Sequence, residues 1–166
     1  KTIFEQPIPL ELAKEILELI SRYPNFKIQI FMEKKKIYAG RNYISMQLWR
    51  FFRFRHKYSI KNSINYMRDF IFVPVQNTIN IEGAKKVLKH PPSKIVLYGN
   101  ESELQHFENK IKNKYKDEIF LTSALSGCLD VLSGQISKAK GLAALARILG
   151  IKQNEIIAIG DNYNDM

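Results

Sequence analysis

Residues 156–159 read Ile-Ile-Ala-Ile and run directly into Gly160-Asp161-Asn162-Tyr163-Asn164-Asp165. Four consecutive apolar residues cannot alternate between core and solvent. As a strand they need cover on both faces, which is the condition of a parallel sheet flanked by helices. Sheets of that kind bind ligands beyond the carboxyl ends of their strands, where the two aspartates of this stretch fall. The pattern predicts an α/β arrangement for the C-terminal part, with a buried strand over 156–159 opening into a ligand loop.

The loop has the chemistry for that task. Gly160 lets the backbone approach a ligand closely. Asp161 and Asp165 are hard oxygen donors suited to Mg²⁺, which takes one or two carboxylates beside water and substrate phosphate. Asn162 and Asn164 add amide donors and acceptors without further charge. Asp and Asn also favour ordinary turns, but the apolar run ahead of them favours a ligand loop. An EF-hand is excluded, because its third position would be Tyr163 and its sixth is not Gly. Upstream, Lys138 follows Gln135-Ile136-Ser137 at the head of a helical stretch. A lysine there opposes the helix dipole. It makes sense as a point charge aimed at a phosphate near the helix N-terminus, where a solvated lysine is the plain alternative.

Periodicity orders the rest of the chain. Residues 9–21 carry a helical stripe of Leu12, Ala13, Ile16, Leu17 and Ile20, and Tyr23-Pro24-Asn25 ends it. Residues 26–32 alternate as a strand and turn through Glu33-Lys34-Lys35 into a second strand over 36–39, giving a hairpin. Residues 45–55 predict a helix; residues 56–80 give no clear pattern. A helix over 81–89 stops at His90-Pro91-Pro92. Residues 94–98 form a strand, 101–116 a helix on Leu104, Phe107, Ile111 and Tyr115, and 118–123 with 128–132 two strands around Ser126-Gly127. Residues 138–149 form a helix capped by Gly150. The expected organisation is a connection over 1–9, an α+β unit over 10–128, and the start of a doubly wound parallel-sheet unit over 129–166.

Composition bounds the function. The chain has 166 residues, 45% of them hydrophobic, and no apolar run long enough to span a membrane. Its opening Lys-Thr-Ile-Phe-Glu has neither Met nor a secretory core, which predicts a piece of a longer protein. The single cysteine, Cys128, predicts a reducing, cytoplasmic setting and reads as a small buried hydrophobe. His56, His90 and His106 show no zinc spacing. The net charge of +10 is concentrated in residues 27–68, which hold eleven Lys and Arg against Glu33 alone. Such a block speaks of partners or substrates, here anionic ones, or of a solvated face.

With these residues in view, the chain resembles the Cof-type phosphatases of the haloacid dehalogenase-like (HAD) superfamily. The resemblance rests on Ile136-Ser137-Lys138, the helix after it, Leu149-Gly150-Ile151, and residues 155–166. It covers residues 129–166; the preceding residues match the family's large α+β cap in size, position and element order. The resemblance implies a Rossmann-like core with a cap, Mg²⁺ as cofactor, and hydrolysis of a phosphomonoester through an aspartyl-phosphate. It implies that Asp161 ligates the metal and takes part in catalysis, that Asp165 acts on the metal through water or orients its neighbours, that Asn164 helps hold the phosphate or metal-bound water, and that Lys138 balances charge on the nucleophile and the phosphoryl oxygens. It implies a small anionic substrate, such as a sugar phosphate, nucleotide or cofactor phosphate, selected by the basic cap.

One part of the family pattern is missing. Its nucleophile lies in Asp-x-Asp, and Asp69, Asp117, Asp130, Asp161 and Asp165 form no such pair. The chain alone is therefore expected to be inactive. The other reading is a non-catalytic anion- or nucleic-acid-binding module, for which Trp49-Arg50-Phe51-Phe52-Arg53-Phe54-Arg55 offers aromatic and basic side chains. Aromatic residues at helical spacing are more often core, which counts against nucleic acid. No membrane partner is expected.

Overall fold

Strand patterning and helical stripes resolve into a six-stranded mixed sheet. The computed structural model describes residues 5–33, 36–40, 43–54, 59–72, 74–123 and 127–159, and within them all side chains except those of Met46, Trp49, Arg50, Arg53, Phe54, Asp69 and Phe70. The helices are α1 (Leu10–Ile20), α2 (Tyr43–Phe54), α3 (Ile60–Tyr66), α4 (Ile81–Val87), α5 (Glu101–Tyr115) and α6 (Lys138–Leu149). The strands are β1 (Lys27–Phe31), β2 (Lys36–Ala39), β3 (Val75–Thr78), β4 (Lys94–Tyr98), β5 (Ile119–Thr122) and β6 (Cys128–Ser133). Their order across the sheet is β3-β2-β1-β4-β6-β5. All neighbours pair antiparallel except β2 and β3, which run parallel.

The period of two along each strand gives the sheet two different faces. One carries Ile28, Ile30, Ile37, Ile95, Leu97, Leu129 and Val131, all buried in a core with α1, α4 and α5. From those helices Ile16, Leu17, Ala84, Phe107 and Ile111 are fully buried against it. Fully burying one such aliphatic side chain contributes about 2 kcal/mol, so this layer supplies most of the stability. Tyr23, Phe26 and Phe107 close one end, with Tyr23 and Phe26 stacked at 4.9 Å and Phe107 edge-on to both.

The second face is polar and aromatic, and Tyr43 at the start of α2 packs on it over β1 and β2. Gln29, 1% exposed, donates to Tyr43 Oη at 3.3 Å and accepts from Tyr98 Oη at 3.2 Å. Tyr66 Oη donates to Gln47 Oε1 at 2.8 Å. The Tyr38 and Tyr43 rings meet at 5.2 Å, and burial pushes the Tyr38 phenol above its ordinary pKa, with Tyr43 adding to the shift.

Three expectations change. Residues 56–80, without a clear pattern in the sequence, contain α3, a π-helical turn over Met67–Ile71 and the edge strand β3. Cys128 is half-buried rather than core: it shares the polar face with Asp130, its Sγ 3.7 Å from Asp130 Oδ1. Finally, residues 156–159 form no strand, and Ile157 and Ile159 are 91% and 96% exposed. A strand buried on both faces needs a neighbour at its edges and cover above and below. Among the described residues only α6 and the segment leading from it lie alongside, and no strand of the sheet reaches this segment.

Candidate phosphate-handling site

Lys138 is the first residue of α6, and the local sequence explains why the helix starts there. Ser137 is its N-cap, with Oγ accepting from Lys140 N at 3.1 Å. Lys140 Nζ reaches back to the carbonyl of Gly134 at 3.3 Å, tying the helix start to the end of β6. Gly134 is held close in turn: its N–H donates to Glu118 O at 2.9 Å. A Cβ at Gly134 would lie 1.8 Å from Asp117 O, so only glycine fits. Lys138 is exposed on the first turn of α6. The helix ends as expected at Gly150, in the left-handed region at φ 69°, with Ile151 N donating to Ala146 O at 2.9 Å.

Beyond α6, a single 3₁₀ turn over Gln153–Glu155 is closed by Lys152 N donating to Glu155 Oε2 at 2.8 Å. An open groove of about 710 Å³ runs between α6 and this segment, lined by Leu142, Ala146, Ile151 and Ile156 among others. Its lining is mainly apolar, with Lys140 and Arg147 as its charged members. Asp161, Asn164 and Asp165 lie outside the described residues, so of the predicted site residues the structure places Lys138 alone. Among the described residues no cluster of His, Cys, Asp and Glu could hold a metal.

The basic stretch divides similarly. Lys27, Lys61 and Arg68 are exposed and Lys36 is half-buried, while the side chains of the other seven lie outside the described set. The structure also adds Phe31, Lys94 and Asp130, which no sequence pattern singled out. Lys94 Nζ bonds Asp130 Oδ2 at 3.0 Å, and Lys36 and Lys94 each hold an ammonium group 4.8 Å from the Phe31 ring centroid. Alternation along β1, β2, β4 and β6 was the available signal, but strand register decides which of these residues meet.

The sequence model of the haloacid dehalogenase-like hydrolase family matches residues 1–166, and the chain belongs to that family. An HMP-PP phosphatase of Klebsiella pneumoniae is 31% identical over 81 residues, covering 49% of this chain and 30% of that protein. A haloacid dehalogenase-like hydrolase from Bacteroides thetaiotaomicron superposes with a TM-score of 0.66 at 18% identity, over 98% of this chain and 53% of the other. A HAD subclass IIB sugar phosphatase superposes with a TM-score of 0.64 at 20% identity, over 98% and 52%. The chain thus spans about half the length of these solved structures. No helix among the described residues is long and apolar enough to cross a membrane.

Proposed function

We propose that this chain is the cap and part of the core of a Cof-type phosphatase acting on a small, anionic phosphomonoester in the cytoplasm. The observation that carries the reading is Lys138 at the capped start of α6, followed in sequence by the Gly160-to-Asp165 loop, in a chain of HAD-like fold. Relatives named as an HMP-PP phosphatase and a sugar phosphatase support a small-molecule ester. The sequence reading divides the chain into a connection over 1–9, a cap over 10–128 and a partial core over 129–166. The pairing of β6 with both β4 and β5 supports carrying the cap on to Ser133.

Two carboxylates and two amides form a hard oxygen donor set, which fits Mg²⁺. Asp161 and Asp165 would hold it, and when bound the ion neutralises charge on the phosphoryl group. Lys138, exposed on the first turn of α6, would balance charge on a phosphoryl oxygen and on the attacking carboxylate, and Asn164 would help hold the phosphate or metal-bound water. The attacking carboxylate belongs to the family's Asp-x-Asp, which none of this chain's aspartates forms; its attack on phosphorus would break the ester P–O bond, release the alcohol and leave an aspartyl-phosphate, which water then hydrolyses to phosphate and free carboxylate.

The test is a phosphate-ester panel on a protein that joins this chain to an Asp-x-Asp segment. Turnover should require Mg²⁺ and fall by roughly 100-fold or more with Lys138→Met and with Asp161→Ala. Turnover indifferent to both substitutions would sink the reading. Absence of any turnover, with salt-sensitive binding of single-stranded DNA, would leave the non-catalytic binding module in its place.

A further inference from the structure

Helix α2 reverses the usual amphipathic order. Tyr43 and Gln47, at the four-residue spacing of one helical face, are both buried. Both are polar, and both are satisfied inside: Tyr43 Oη accepts from Gln29 at 3.3 Å, and Gln47 Oε1 accepts from Tyr66 Oη at 2.8 Å. Phe51 continues this face, its ring 5.6 Å from that of Tyr66. The stripe beside it, Ile44, Leu48 and Phe52, has the same spacing and is exposed, Phe52 by 61%. A helix on a globular protein ordinarily buries such a stripe and leaves an amide in water. The neighbouring helix shows the same order. Tyr66 of α3 is half-buried, while Ile60 and Ile64 are exposed, Ile60 by 82%, as is Phe72 beyond them.

Charge and shape decide what covers the stripe. Helices α2 and α3 and the turn after them carry Arg50, Arg53, Lys61 and Arg68 against Asp69 alone, in a chain of net charge +10. Pairing inside the chain redistributes that excess and cannot remove it, so the matching partner is anionic. A second copy would bring like charge against like. A nucleic acid stacks its bases on aromatic rings, whereas Ile44, Leu48, Ile60 and Ile64 are aliphatic. A peptide helix needs a groove, and side chains this exposed do not line one. An anionic lipid surface takes both features, apolar side chains at the acyl boundary and cations at the headgroups. Among the described residues no helix can cross a membrane, so the mode is to lie on it. We propose that α2 seats this protein on an anionic lipid surface, with Ile44, Leu48 and Phe52 entering the acyl boundary. The proposal is independent of the phosphatase reading, which stands on Lys138 and the loop after Ile159.

Co-sedimentation of the 166-residue chain with lipid vesicles tests it. Vesicles of phosphatidylglycerol and phosphatidylcholine in equal parts should carry the chain down, and vesicles of phosphatidylcholine alone should bind it about tenfold or more weakly. Leu48→Ser combined with Phe52→Ser should weaken binding to the anionic vesicles about 100-fold. Both side chains are exposed, so an unchanged urea midpoint should show the fold intact. Ile148→Ser, on the exposed apolar side of α6, should leave binding as it is. Equal binding to neutral vesicles, indifference to the α2 pair, or an equal loss with Ile148→Ser overturns the inference. Binding of a single-stranded oligonucleotide in place of vesicles overturns it in favour of nucleic acid. The protein joined to an Asp-x-Asp segment should bind the vesicles as the chain alone does. Loss of binding there means that the rest of the family fold covers the stripe, and it too overturns the inference. None of these results bears on phosphate-ester turnover.

Discussion

Asp130 is 15% exposed and keeps its carboxylate against Lys94 at 3.0 Å. Lys94→Met alone strands that carboxylate, and the chain should lose about 2 kcal/mol, read from the urea midpoint. Adding Asp130→Asn should recover most of it. Tyr38 gives a pH signature. Its folded pKa is raised, chiefly by burial, so the stability it contributes is complete below the unfolded value of about 10. It is lost as pH climbs from there through the folded value. Stability measured from pH 9 to 11 should therefore fall less steeply in Tyr38→Phe than in the native chain. Lys138 was legible in the sequence because Ser137 and the helical stripe beyond it are local signals. The Phe31, Lys36, Lys94 and Asp130 cluster was not, because Lys94 and Asp130 are separated by 36 residues and meet only through register.

At the scale of elements, α1, β1, β2, β4, α5 and α6 follow from periodicity and caps, because each has a strong apolar stripe or run. β3 does not: Val75-Gln76-Asn77-Thr78 is an edge strand whose middle residues are exposed, so it has almost no hydrophobic pattern to read. It is held by parallel pairing with β2 and by Thr78 Oγ1 donating to Tyr38 O at 3.1 Å. The expected strand over 156–159 failed for a different reason. Its apolar run is a sound signal of burial, but burial between layers depends on elements that do not lie beside it among the described residues. The junction from β6 to α6 is more tightly fixed. Gly134→Ala would drive its methyl into the backbone at Asp117, and thermal unfolding should report a loss of about 2 kcal/mol.

For the whole molecule, the sheet and α6 should differ in local stability. Hydrogen exchange is expected to be slowest in β1, β4 and β6, each flanked by strands on both edges, and fastest over 151–159, where apolar side chains lie in solvent. Equal protection in the two regions would contradict this. The isolated 166-residue chain should not hydrolyse a generic phosphomonoester, since no Asp-x-Asp is present; turnover abolished by Asp161→Ala would refute that. One last consequence lies in how the chain enters and leaves the sheet. Ile8 is bonded to Pro92 at 2.8 Å, just ahead of β4, and Gly134 follows β6, the antiparallel neighbour of β4. Entry and exit therefore sit side by side at one end of one strand pair. Grafted into a surface loop of an unrelated host, residues 8–134 should therefore fold without either partner having to refold around the other.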